Sequence, residues 1–252
     1  MIKTQRITSI LSKIEDCDNF ESINVLSWSG KWKAFSPYYL KTDGNEINNN
    51  EGGIIFENFW QGSKVYDIVY DIKVYTHYTK QGDDNYLLWE YKTKDGNGQV
   101  IYNKEEDIIN MKAYMRWRTS LWDCKKAIRY PNGRERRKYT QFALIIDEEG
   151  NQERLNYIQA KKKLYVKEYK RLVRNLDEYE ILLNKLKKGK NLLLCEIDVP
   201  SKGRKGKYGE VDEDGNCEMT LEKIKDLLND ESEPFGHGLA LAQALLEDLS
   251  KN

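Results

Sequence analysis

Eleven residues, FENFWQGSKVY at 56–66, set a carboxylate at Glu57, an amide at Gln61 and an ammonium at Lys64 among four aromatic rings. Glu57, Gln61 and Lys64 recur at i, i+4 and i+7, so on a helix all three line one stripe, while Phe59, Ser63, Tyr66 and Tyr70 occupy a neighbouring face. A carboxylate beside Phe56, Phe59 and Trp60 is partly desolvated, and Lys64 is the group that would stabilise its ionised form. Such a set suits general acid–base work or the stabilisation of a cationic centre. The same spacing also fits an ordinary surface helix with a polar stripe, so it leaves both readings open.

Three further groupings could carry chemistry. In KKAIRYPNGRERRK, Lys125, Lys126, Arg129, Arg134, Arg136, Arg137 and Lys138 oppose only Glu135, a cluster that could grip phosphates with Trp117, Trp122 and Tyr130 near enough to stack on bases. A charged hairpin rim is the equal alternative. In LCEIDVP, Glu196 and Asp198 alternate at a strand end, so both could face one cleft, with Tyr208 on the loop GKYG that follows. His237, in PFGHG, falls at a helix start, where backbone N–H groups favour an anion. Lys161, Lys162 and Lys163 read as a solvated helix face.

The elements that must position these groups follow from periodicity and punctuation. Aromatics are spaced through WSGKWKAFSPYYL (28–40) and end at a Ser-Pro turn, and KTDGNEINNNEGG (41–53) is a polar loop. YLLWEYK is a strand between turn-rich stretches, and a helix is expected through NKEEDIINMKAYMRWRTSLWDC with Asn103 as its cap. KKAIRY and RKYTQFALIID flank PNGRER as a hairpin, and DEEGN turns the chain into ERLNYI. One amphipathic helix is expected over 164–186, stopped by Gly189, and NLLLCEIDVP reads as a buried strand. Thr220 caps LEKIKDLL, and GLALAQALLEDL is a small-residue helix opened by EPFGHG.

Length and composition bound the whole. A chain of 252 residues suits a single compact domain, here expected over 1–252, with 104–160 as a helix plus β-hairpin elaboration. Its 41 basic and 41 acidic side chains cancel, so a polyanionic partner would have to be met by a local patch. No apolar run approaches the roughly 20 residues of a membrane span, and MIKTQRITSILSK lacks a signal-peptide core. Cys17, Cys124, Cys195 and Cys217 form no C-x-x-C pair, and only His77 and His237 could join them, which argues for reduced thiols rather than a zinc site. The expected setting is cytoplasmic or otherwise intracellular, the nucleus and a virus-infected cell included, with no membrane and no obligate protein partner.

Taken together, AFSPYYL, FENFWQGSKVY, NLLLCEIDVP and FGHGLALAQALL resemble the NADAR family, whose best-known branch is the YbiA-like proteins, over most of the chain. Ser36 with Tyr38 and Tyr39 looks like that family's S-x-F/Y element, Glu57, Gln61 and Lys64 fit its E-H-x-x-Q-x-x-K helix, and Glu196 fits its L-x-E strand. AIRYPNG with YIQAKKKLYVKEY is similar to the branch found in viruses and some eukaryotes. The chain departs in three places: Asn58 stands where histidine is frequent, Tyr208 replaces the tryptophan of W-G, and the acid before that tryptophan is missing, leaving Asp198 as its substitute for ribose contacts.

The resemblance implies an α+β fold, mainly helical around a small β-sheet, and an N-glycosidase that cleaves the ribosyl C–N bond of an ADP-ribose-type substrate. ADP-ribosylated guanine in DNA is the leading substrate, phosphorylated riboflavin-pathway intermediates the alternative, and a non-catalytic reader of ADP-ribose or NAD-related nucleotides the third. It implies Glu57 and Lys64 as catalytic groups, and Ser36, Tyr38, Asn58, Trp60, Gln61, Arg129, Glu196, Asp198, Tyr208, Gly209, Phe235, Gly236 and His237 as substrate-binding, with no metal and no cofactor.

Overall fold

The computed structural model describes residues 1–8, 19–27, 29–42, 53–69, 72–76, 87–91, 99–129 and 140–251, with backbone alone at 72–76, 87–91 and 128–129. The chain is mixed α+β. In order come strands β1 (Ile2–Arg6) and β2 (Phe20–Asn24), a 3-10 helix (Gly30–Phe35), helix α1 (Phe56–Gly62) and strands β3 (Lys64–Tyr66), β4 (Ile68–Val69), β5 (Ile72–Thr76) and β6 (Leu87–Tyr91). Strands β7 (Gln99–Val100), β8 (Tyr102–Asn103) and β9 (Ile108–Ile109) lead to helix α2 (Met111–Trp122) and strands β10 (Ile128–Arg129), β11 (Thr140–Ile146) and β12 (Gln152–Leu155). Helix α3 (Tyr157–Ala160), a π-helical segment (Lys161–Val166), α4 (Lys167–Val173), α5 (Asp177–Lys187) and β13 (Asn191–Glu196) follow. A 3-10 turn (Gly206–Gly209), β14 (Asn216–Glu218), α6 (Leu221–Leu228) and α7 (His237–Leu249) complete the chain. Among the described residues no helix is long and apolar enough to cross a membrane.

Contacts gather these elements into two compact units, Met1–Leu40 with Lys161–Asn252, and Lys41–Ala160. The first holds a four-stranded sheet in the order β14-β1-β13-β2. β13 is parallel to both neighbours, with Ile2 opposite Leu192 and Phe20 opposite Asn191, while β14 runs antiparallel to β1. A strand flanked on both sides reads as a continuous apolar run, and Leu192, Leu193, Leu194 and Cys195 are all fully buried, as the sequence led one to expect. Helix α7 packs on β13 and on α4, α5 and α6, and its small residues Ala240, Ala242 and Ala244 are as buried as its leucines. Thr220 Oγ1 accepts from Lys223 N at 3.1 Å as the cap of α6. Gly189, at φ 76°, ends α5 as expected.

The expected single helix over 164–186 is instead two. A π-helical segment leads into α4, the chain leaves helical geometry at Leu176 (φ −92°, ψ 138°), and α5 restarts with Asp177, Glu178 and Glu180 in its first turn, where acids complement the helix dipole. The break is held by Arg174, whose guanidinium donates to Asp248 at 2.8 Å and to Glu247 at 2.9 Å. Lys161 also departs from expectation. It is 1% exposed, and its ammonium donates to the Asp230 carbonyl at 2.8 Å, whereas Lys162 and Lys163 do face solvent or its margin. Residues 28–40, read only as spaced aromatics, contain the 3-10 helix, with Trp32 and Phe35 buried.

In the second unit β11 lies between β12 and β3, and β6 lies between β10 and β5. The core comprises Val65, Tyr66, Val69, Ile101, Ala113, Tyr114, Trp117, Leu121 and Leu144. The turn DEEGN joins β11 to β12 as expected, with Asp147 accepting from Asn151 N and Nδ2. Helix α1 is shorter than its periodicity suggested. It stops at Gly62, a poor helix former followed by the strand-forming pair Val65 and Tyr66, and Lys64 begins β3 opposite Ala143. Tyr70 lies outside the described residues.

The helix expected after an Asn103 cap begins seven residues later. Asn103 Oδ1 accepts instead from Glu105 N and Glu106 N, closing the β8-β9 hairpin, and the cap of α2 is Asn110, whose Oδ1 accepts from Ala113 N. Of the expected basic hairpin, Tyr130 and Arg134, Arg136, Arg137 and Lys138 lie outside the described residues. β10 pairs with β6 in parallel, and β11 with β3 and β12.

Candidate functional site

Glu57, Trp60, Gln61 and Lys64 come together in the unit 41–160. Gln61 Nε2 donates to Glu57 Oε1 at 2.8 Å and Lys64 Nζ donates to Gln61 Oε1 at 2.9 Å. A lysine can only donate, so the Gln61 oxygen must face it and the amide nitrogen must face the carboxylate; the orientation of Gln61 is set by chemistry. Helix α1 places Glu57 and Gln61 one turn apart, and the pairing of β3 with β11 places Lys64, so the stripe survives although the helix does not extend to Lys64. Lys64 Nζ also lies 4.5 Å from the Trp60 ring centroid, over a ring 9% exposed. Glu57 is half-buried, and its Oε2 has no hydrogen-bond partner among the described residues.

Asn58 faces the other way. It is fully buried, and its Nδ2 donates to the carbonyls of Cys124 at 3.4 Å and Lys126 at 3.0 Å, tying α1 to the chain after α2. Trp117 and Trp122, expected as stacking surfaces, are 2% and 8% exposed and pack inside this unit. Arg129 lies in β10, with only its backbone described.

A second set lies in the unit formed by 1–40 and 161–252, and Glu196 is its centre. The carboxylate is 2% exposed; Oε1 accepts from Ile197 N at 2.7 Å and Asp198 N at 3.2 Å, and Oε2 accepts from Gly238 N at 3.3 Å. The N-terminus of α7, expected to attract an anion, thus receives one from the protein's own strand β13. That approach explains FGHG. A Cβ on Gly236 would overlap Glu196 Oε2 and come within 2.8 Å of the Asp198 carbonyl oxygen, and one on Gly238 would sit 3.0 Å from Glu196 Cβ. His237 Nε2 donates to the Val25 carbonyl at 2.9 Å, and Nδ1 lies 3.7 Å from Glu196 Oε2.

The remaining members surround this pair. The Asp198 carbonyl accepts from Gly236 N at 3.1 Å. Tyr208 is fully buried, with its hydroxyl donating to the Pro234 carbonyl, and Gly209 has no room for a Cβ, which would meet the Arg204 carbonyl at 2.7 Å. Ser36 is buried, and its Oγ accepts from the N–H of half-buried Tyr38 at 3.4 Å. Phe235 is 6% exposed, 5.9 Å from the Lys161 ammonium.

Two residues that the sequence did not single out hold this set together. Arg204 donates to Glu233 at 2.8 Å and to the Ile197 carbonyl at 3.4 Å, and lies 3.9 Å from Asp198. Tyr169 donates to the Phe35 carbonyl at 2.7 Å and stands 6.2 Å, ring to ring, from His237; burial, and after it the Glu196 charge, push its hydroxyl well above the ordinary value. Arg204 sits in KGRKGK and carries no local signal. Tyr169 was legible as part of a buried helical stripe but not as a hydrogen-bond donor. The thiols are inert by comparison: burial pushes Cys195 up to about 12 and Cys124 up to about 11.

Comparison of the chain with family models, with curated proteins and with solved structures returned no match.

Proposed function

We propose that the protein is an N-glycosidase that hydrolyses the ribosyl C–N bond of an ADP-ribose-type substrate, with ADP-ribosylated guanine in DNA as the substrate. The observation that carries this reading is the Glu57, Gln61, Lys64 relay: one half-buried carboxylate, its orientation set by an amide that a lysine in turn orients. Breaking a ribosyl C–N bond develops positive charge at the anomeric carbon. A fixed carboxylate stabilises that charge and accepts the proton of the attacking water as its oxygen bonds to carbon. The base departs with the electron pair of the broken bond and is protonated from solvent; as a good leaving group, guanine needs less acid assistance than an alkoxide. Lys64 serves as a positioning group through Gln61, and Trp60 supplies an apolar wall.

The balance of 41 basic and 41 acidic side chains favours a second reading, a free phosphorylated nucleoside of the riboflavin-pathway type. The two separate in one experiment. Incubated with an oligonucleotide carrying ADP-ribosylated guanine, the protein should release free ADP-ribose, with a rate that falls as salt rises. Turnover of the free nucleoside with no release from the oligonucleotide selects the second reading, and turnover of neither defeats both.

A further inference from the structure

Helix α2 is charged against its own dipole. In the other unit, α4, α5 and α6 each place an acid in the first turn and a cation in the last, the arrangement the dipole favours. Helix α2 has no acid in its first turn and no cation in its last; Lys112 stands near the positive end instead, and Asp123 caps the negative end. Arg116 follows Lys112 by one turn, and a like-charge pair at i, i+4 also opposes helix formation. Lys112, Arg116 and, past the helix end, Lys125 are exposed, and none of the three joins an ion pair among the described residues. Helix stability therefore does not account for these cations.

They share one face. Ala113, Tyr114, Trp117, Leu121 and Trp122 are buried, so Lys112, Met115, Arg116 and Thr119, at i, i+3, i+4 and i+7, form the outward stripe, with Met115 37% exposed. From 111 to 129 the chain carries Lys112, Arg116, Arg118, Lys125, Lys126 and Arg129 against Asp123 alone, in a protein whose charges otherwise balance. Of the acids before the helix, Glu105, Glu106 and Asp107 lie in the β8-β9 hairpin, and Asp107 is taken up by Arg154. The face belongs to the unit that holds the Glu57 relay and is tied to it. Asn58, beside Glu57, donates to the carbonyls of Cys124 and Lys126, and the Tyr114 hydroxyl donates to the Gly62 carbonyl at 3.1 Å. We propose that the outer face of α2, through Lys112 and Arg116 with Lys125 beyond its end, binds the phosphate backbone of duplex DNA. The choice of DNA as the polyanion rests on the substrate proposed above. An uncompensated local field attracts a polyanion although the net charge is zero. Contacts to phosphate position a duplex without reading its sequence, as an enzyme directed to a modified base requires.

The test is fluorescence anisotropy of a labelled, unmodified DNA duplex titrated with the full chain over a series of salt concentrations. Wild type should bind with Kd of about 10⁻⁴ to 10⁻⁶ M at physiological salt, and more tightly as salt falls. Joint substitution of Lys112→Gln, Arg116→Gln and Lys125→Gln should weaken binding at least about tenfold at low salt and reduce the log–log salt slope by about 2–3, the share of three phosphate contacts. A control that removes three exposed lysines of the other unit, Lys187→Gln, Lys188→Gln and Lys190→Gln, should bind like wild type. The α2 variant should unfold at or above the wild-type temperature, since it relieves a like-charge pair and a cation at the helix start. Binding needs no turnover, so Glu57→Gln should bind the duplex like wild type. Duplex binding without release of ADP-ribose defeats the glycosidase and supports the face; release without duplex binding does the reverse. An α2 variant that binds like wild type, an equal loss in the control, or wild-type binding to phosphatidylserine vesicles but not to the duplex would overturn the assignment.

Discussion

Gly236→Ala is the sharpest test of how Glu196 and α7 are joined. The added Cβ would overlap Glu196 Oε2 and lie 2.8 Å from the Asp198 carbonyl oxygen. A carboxylate at the end of a free side chain could swing aside, but this one is pinned by the N–H groups of Ile197, Asp198 and Gly238, and the Asp198 carbonyl is backbone that also accepts from Gly236 N. Overpacking of this kind costs about 1–3 kcal/mol, and displacing a charged acceptor from Gly238 N adds about 1.5–3 kcal/mol. The expected destabilisation is therefore about 3–5 kcal/mol, read by urea unfolding, or roughly 6–20 °C in Tm for a chain of this size. Glu196→Ala in the same background removes the atom that clashes, so the double variant should lose about 1–2 kcal/mol less than the sum of the single changes. A Gly236→Ala protein within about 0.5 kcal/mol of wild type, or strict additivity with Glu196→Ala, would refute the reasoning.

Other outcomes follow from the same geometry. Burial lowers the Lys161 ammonium from 10.5 to about 8, so the folded state gives up that proton before the unfolded state does. Stability should therefore rise between pH 8 and pH 10.5, by up to about 3 kcal/mol, and Lys161→Met should flatten that rise; parallel pH profiles for the two proteins would contradict it. Asn58→Leu leaves the carbonyls of Cys124 and Lys126 without their donor, and should cost about 2–4 kcal/mol in urea unfolding. Asn110→Ala removes the cap of α2 and should cost about 1 kcal/mol, whereas Asn103→Ala, outside the helix, should leave the helix start unmoved in amide exchange.

What the sequence made legible was local. The run NLLLCE, the Thr220 cap, the Gly189 stop and the small-residue helix after FGHG each carry their signal within a few residues, and all are found where expected. The stripe of Glu57, Gln61 and Lys64 was legible as well, although its last member reached the set from a strand. Long-range pairing was not. β1 reads as a polar segment because its partner, Leu192 opposite Ile2, lies far along the chain. Lys161 could have been found: it is four residues before buried Tyr165, on the apolar stripe, but its position in KKK pointed to solvent. Asn103 and Asn110 are both sound caps by type, and only the β8-β9 hairpin decides which one starts the helix. The anion at the start of α7 was invisible because it comes from the end of β13.

The role of Glu57 is tested most directly by single-turnover release of ADP-ribose from the guanine-modified oligonucleotide, comparing wild type with Glu57→Gln. The substitution is isosteric and keeps an oxygen for Gln61 Nε2 to bond, so the fold and the relay geometry stay while the charge is lost. The expected result is a rate lower by about 10² to 10⁴, with unfolding within about 1 kcal/mol of wild type. A Glu57→Gln protein that releases ADP-ribose at the wild-type rate would contradict the account.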